Sequence, residues 1–151
     1  MNVLEKYQKD YAFMVEAGFI AINQMDEVSA LKLFKAAETL QPKNQLSQIG
    51  YGMIYLHKME TEKAIACFQK ALKNDPTNEM AKTFMGLAYS LSSKQREKSN
   101  ELLKETSASE DPLIKKLAST AMEFVELHTK KTKTPFETLA TTPRKSRSKR
   151  G

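Results

Sequence analysis

A period of thirty-four residues constrains this chain more than any other feature. Gly18, Gly52 and Gly86 fall in register. So do Ala30 with Ala64, Phe34 with Phe68, Ala37 with Ala71, and Pro42 with Pro76. Two helices approach closely only where small residues sit at their crossing. In the central unit Gly52 on the first helix and Ala64 on the second meet that need, and Tyr51 and Phe68 fill the space on either side. Pro76 ends the second helix, because the residue before a proline is pushed out of the α region. A two-helix unit of this size cannot bury its apolar face alone, so it must stack on neighbours.

Tyr51, Gly52, Tyr55, Ala64, Phe68, Ala71 and Pro76 resemble the anchors of the tetratricopeptide (TPR) repeat. Gln48 and Met14 stand where that family carries tryptophan, a place that asks only for bulk. The resemblance implies an all-α helix–turn–helix solenoid of about three repeats, over residues 11–44, 45–78 and 79–109, with a C-terminal capping helix over 111–128. Residues 1–129 then form one domain and 130–151 a basic tail.

The expected helices follow from apolar spacing. The first runs from Asn2, a suitable N-cap, to about Gln24, because Leu4, Tyr7 and Tyr11 extend its stripe backwards. This extension is expected to cap the solenoid or to pair with another chain. The others are expected over 27–40, 45–57, 61–74 with Thr61 as a possible cap, 79–91 and 92–109. The last of these reads as degraded, since Lys98 takes the alanine place and Leu102 the phenylalanine place. In the final helix Pro112 suits the first turn, and Leu113, Leu117, Ala121, Phe124 and Leu127 recur at helical spacing.

Charge divides the chain. Residues 1–129 carry 16 basic and 17 acidic side chains, against 8 and 1 in 130–151. The net +6 therefore belongs to the tail, which has little to bury and is expected to be disordered. The run 144–150 lacks interleaved aromatics and offers no stacking platform, so it reads as solubilising, and nucleic acid is not an expected partner. The single Cys67 rules out a disulfide framework within the chain and reads as a small buried residue in a reducing compartment. Glu5 and Asp10 interrupt any leader-like run, and no stretch is apolar enough for membrane insertion, so a cytoplasmic location is expected. His57 and His128 have no ligand at metal spacing, and neither a phosphate loop nor a nucleophile elbow occurs. No enzyme activity, cofactor or metal is expected.

The informative surface is the face that the first helices turn inward. Val15, Phe19 and Ile22, then Leu46, Ile49, Met53 and Leu56, then Met80 and Leu87 with Thr83 between them, each form one stripe at spacings of three and four. A second stripe, with Ala17, Ala21, Tyr51, Tyr55, Met85 and Tyr89, supplies the contact between helices. Helices apolar on two faces must be covered by something. The cover is either the chain's own terminal helices or a partner's amphipathic helix. TPR domains that grip acidic C-termini use a clamp of Lys, Asn and Arg; here the matching places carry Val15, Phe19, Gly50, Met80 and Phe84.

In size and in its apolar groove the chain is similar to the type III secretion chaperones, above all those of the needle subunit. That resemblance implies a cytoplasmic chaperone that holds an amphipathic helix of a secreted subunit, with a small helical co-chaperone and a homo- or heterodimeric assembly. The translocator-class chaperones and a general TPR scaffold are the alternative readings.

Overall fold

In a computed structural model of the chain, which describes residues 2–92 and 95–131, Asn2 opens the first helix with a capping box. Its side chain accepts from the Leu4 amide, and Glu5 reaches back to accept from the Asn2 amide. Seven helices follow in order among the described residues: α1 Val3–Asn23, α2 Glu27–Leu40, α3 Leu46–His57, α4 Thr61–Asn74, α5 Glu79–Leu91, α6 Arg96–Ser107 and α7 Pro112–Lys131. Several details differ from expectation, among them α6, which is shorter than the expected 92–109. Glu60, not Thr61, holds the cap position of α4, and it makes no side-chain cap bond. Lys130 and Lys131 still belong to α7, while the rest of the expected tail lies outside the described residues.

The connections repeat as faithfully as the helices. At the ends of α1 and α3 the same turn is made by Met25 and Met59, with φ of 60° and 59°. In the first, the Asp26 amide bonds the Ala21 carbonyl and the Met25 amide bonds Ile22; in the second, Glu60 bonds Tyr55 and Met59 bonds Leu56. This six-to-one, five-to-two pattern satisfies carbonyls left over at a helix end, and it normally takes glycine at the left-handed residue.

Each helix packs on its successor. Besides these pairs, α1 touches α3, α3 touches α5, and α5 touches α7. Among the described residues α2, α4 and α6 make no such contacts with one another. The odd helices therefore form a tight inner layer and the even ones a splayed outer layer. A row of helix pairs built this way must curve, with α1, α3, α5 and α7 on the concave side.

The phenylalanines of the outer layer lock this arrangement. Phe34 is fully buried between Gly18 and Gly50, and any side chain at either glycine would run into its ring. Phe19 and Tyr51 meet the same ring edge-on, at 5.1 and 6.1 Å between centroids. One repeat later Phe68 lies on Gly52 and stacks with Phe84 at 6.0 Å. Ala30, Ala37, Ala64 and Ala71 are all 0 % exposed, as crossing points should be. Gln48, in the tryptophan place, is buried, but its amide donates to the Glu38 carboxylate at 2.9 Å and so is satisfied.

The third repeat is not degraded; it is displaced by one residue. The α5–α6 connection takes four residues where the α1–α2 and α3–α4 connections take three. Ser99, Leu103 and Thr106 are therefore the buried set, thirty-five residues after Ala64, Phe68 and Ala71. Leu103 lies 2.9 Å from where a Cβ at Gly86 would stand, and Lys98 is exposed with its ammonium near the Tyr89 ring. The Thr106 hydroxyl returns its hydrogen bond to the Leu102 carbonyl, so a polar residue is tolerated there. Leu103→Ala should lower stability by about 2–5 kcal/mol. Leu102→Ala should cost clearly less, because that side chain is only half-buried. Equal midpoints in urea for the two variants would restore the unshifted register.

Two tyrosines make stability sensitive to alkali. Burial pushes the Tyr11 hydroxyl up to about 12. Burial, then the Glu38 carboxylate that accepts from it at 3.2 Å, takes Tyr51 to about 12 as well. The unfolded chain ionises near 10. The neutral phenols therefore contribute stability fully below about pH 10, and that contribution is lost as pH rises towards about 12. A Tyr11→Phe, Tyr51→Phe chain should show a flatter decline of its denaturation midpoint over that window.

Candidate protein-binding groove

The concave face holds a groove whose walls come from α3, α5 and α7. Its larger part encloses about 450 Å³ and is lined by Met53, Leu56, His57, Met59, Phe84, Leu87, Leu91, Leu117, Thr120, Ala121, Phe124 and His128. A smaller part of about 200 Å³ lies towards α1 and takes in Phe19, Asn23, Met53, Met80, Phe84, Leu113, Ile114 and Leu117. Met53, Phe84 and Leu117 line both, so the two parts are continuous. Asn23, Thr120 and the two imidazoles are the polar side chains on these walls, and no Lys, Arg, Asp or Glu lines either part.

The structure sorts the residues predicted for this face. Met53, Leu56 and Leu87 line the larger part, and Phe19 and Met80 the smaller. Ile49 is 0 % exposed and belongs to the core around Phe68, with Leu46 half-buried against it. Val15 is buried with Tyr11 and Ala37, and Ile22 with Phe34 and Ile54. These four residues shape the inner helices and offer the groove little surface. Phe19 has a double role, since it also packs on Phe34.

The larger omission is α7. Its expected apolar face was Leu113, Leu117, Ala121, Phe124 and Leu127, facing the core as a cap. Instead the seam against α5 and α6 is Ile114, Ala118 and Ala121, while Leu113 and Leu127 are exposed at 78 % and 63 %. Ala121 stands thirty-five residues after Gly86, so α7 is the first helix of a fourth unit. As such it lends the groove Leu117 and Phe124, with Phe124 against the His128 ring at 4.1 Å. The signal was present in the small residues at 118 and 121, once the one-residue displacement is applied.

Other candidate chemistry finds no site. Cys67 is half-buried on α4, and burial raises its thiol, which suits an inert residue. Among the described residues no three His, Cys, Asp or Glu converge as metal ligands, and no helix is long and apolar enough to cross a membrane.

No family model matches the sequence, and no curated protein does. Among solved structures the TPR domain of Arabidopsis OM64 is similar, with a TM-score of 0.61 and 18 % identity, covering 81 % of this chain and 98 % of that domain. At that identity the likeness concerns the fold. The chain has the all-α, TPR-like architecture of a helical-repeat solenoid.

Proposed function

We propose that this chain is a protein-binding adaptor that takes an amphipathic helix of a partner into the groove between α3, α5 and α7. The observation that carries the reading is a continuous concave surface, wide enough for side chains to enter and almost free of hydrogen-bonding groups. An extended peptide would bring unpaired backbone groups into such a site, whereas a helix has already satisfied its own. An acidic C-terminus would find no cation on these walls. Met53, Met59 and Met80 add unbranched side chains that re-pack around a ligand.

Within that reading the client is a secreted subunit of a type III apparatus, held monomeric by a chaperone of the needle-subunit kind. The support is the small repeat domain, the apolar groove and the absence of clamp residues at Val15, Phe19, Gly50, Met80 and Phe84. Titration with a synthetic amphipathic helix from a needle subunit tests it. Saturable binding that is insensitive to salt is the expected result. Binding of a polar scrambled helix with equal affinity would leave only a general scaffold.

A further inference from the structure

The outer side of α1 repeats a face that the second and third units bury. Thirty-four and sixty-eight residues after Phe13 stand Ser47 and Ala81, both 0 % exposed; after Ile20 stand Ile54 at 4 % and Ala88 at 0 %. Ile54 packs among Ala30 and Phe34, and Ala81 and Ala88 pack among Phe68 and Ala71. This face is thus the one that each unit lays on the unit before it. No helix precedes α1 among the described residues, and Phe13 and Ile20 are exposed at 70 % and 56 %. The end unit of a repeat array normally turns a polar face outward. Phenylalanine is also too large for a seat that serine and alanine fill, where helices cross closely. The face is therefore neither a polar cap nor a place for one more repeat in the same register.

Its charge pattern says what fits. Lys6, Lys9, Phe13, Ala17, Ile20 and Gln24 recur at intervals of three and four, so they share one stripe of α1. Asp26 follows at the end of that stripe and joins Phe13, Ile20 and Gln24 around a depression of about 380 Å³. The stripe is basic at its start, apolar at its centre and acidic at its end. Among the described residues Lys6 and Lys9 form no ion pair. Glu16 stands at the margin of the stripe and is exposed. Laid antiparallel on a copy of itself, with Phe13 opposite Ile20, the stripe sets Lys9 against Gln24 and Lys6 against the turn that carries Asp26. Unlike charges then meet at both ends, whereas a parallel pairing would set like on like. We propose that this face of α1 is the interface of a two-fold homodimer, in which Phe13 of each copy packs against Ile20 of the other. From Lys6 to Gln24 the stripe is about 27 Å long. With the start of α2 beside it, it approaches the roughly 800 Å² that each partner buries in a stable interface. Such a contact is self-complementary and closes at two copies. The larger part of the groove takes no residue from α1, so pairing and client binding use different surfaces.

Sedimentation velocity of the full chain should give a mass that rises with concentration to twice that of one chain and no further. Phe13→Glu should raise the dissociation constant by about a hundredfold or more, because the two-fold repeats each loss. The far-ultraviolet circular dichroism of that variant should stay helical, since the ring is mostly exposed in the single chain. Cys67 is the chain's one cysteine, so a Cys67→Ser background is free of thiols. In it, chains with Lys9→Cys and chains with Gln24→Cys should join through a disulfide when mixed, and neither should join to itself. A single-chain mass at every concentration overturns the proposal. So does a dimer indifferent to Phe13→Glu, or a disulfide formed by either cysteine variant alone, which marks a parallel pair. Growth beyond two copies overturns it too, since an open-ended contact is not two-fold. No client is present in these measurements, so a failure here leaves the client reading standing, and a failed client titration leaves this one standing.

Discussion

Phe68→Ala should lower the stability of this chain by about 3–5 kcal/mol, a large part of the 5–15 kcal/mol that a domain usually has. The ring is 0 % exposed and touches three helices: it rises from α4, lies on Gly52 of α3 and stacks with Phe84 of α5. Removal leaves a cavity that cannot close easily, because Gly52 has no side chain to move into it. Ala64→Glu should be at least as damaging, since it sets a carboxylate at a crossing with no exposure. Urea denaturation followed by circular dichroism measures both. A fall in midpoint at constant slope is the expected pattern, and an unchanged midpoint would remove Phe68 from the core.

The second large effect is on binding. Met53→Ser with Leu117→Ser should weaken a helical client by about two to four orders of magnitude. Each large side chain buried against the client is worth about 1.5–3 kcal/mol, and each tenfold corresponds to about 1.4 kcal/mol. These two residues are chosen because both line the two parts of the groove and neither is fully buried in the core. Phe19 would be a poorer choice, since its loss also disturbs Phe34. Titrations at low and high salt should agree, because no charged residue lines the groove. Undiminished affinity in a folded double variant would move the binding site off this face.

The first two repeats were legible because their chemistry recurs at one fixed interval. A glycine, an alanine and a phenylalanine held in register specify a helix crossing almost without help from context, and Phe34 and Phe68 sit where the interval puts them. The third repeat was misread through the same interval. One additional residue between Leu91 and Arg96 makes Leu103 the fully buried residue and leaves Leu102 half-buried beside it, and small polar residues replace alanine at 99 and 106. Serine and threonine in those places look like surface until the helix is turned by a hundred degrees. The groove suffered a related error. Apolar spacing locates Ile49 and Met53 on one stripe, but only packing separates Ile49, buried under Phe68 and its neighbours, from Met53, left on the wall. For α7, helical spacing places Ala121 on the expected face but not Ala118, although at a close crossing the smaller residues mark the contact.

Among the described residues the stack of helices is half a repeat longer than three complete pairs, and that asymmetry bears on where the array is softest. In a linear array each unit is held by its immediate neighbours, and end units by one side alone. Among the described residues α7 packs on α5 and α6 and is followed by no further helix. It is therefore expected to open first under heat or denaturant, at a free energy well below that of the whole domain. Yet the same helix supplies Leu117, Ala121 and Phe124 to the groove. If the proposed groove takes a client, opening of α7 would widen it, while Phe34 and Phe68 are held by helices other than α7. Slow exchange of the amides of α3 and α4 beside fast exchange in α7 is the kinetic signature of that design.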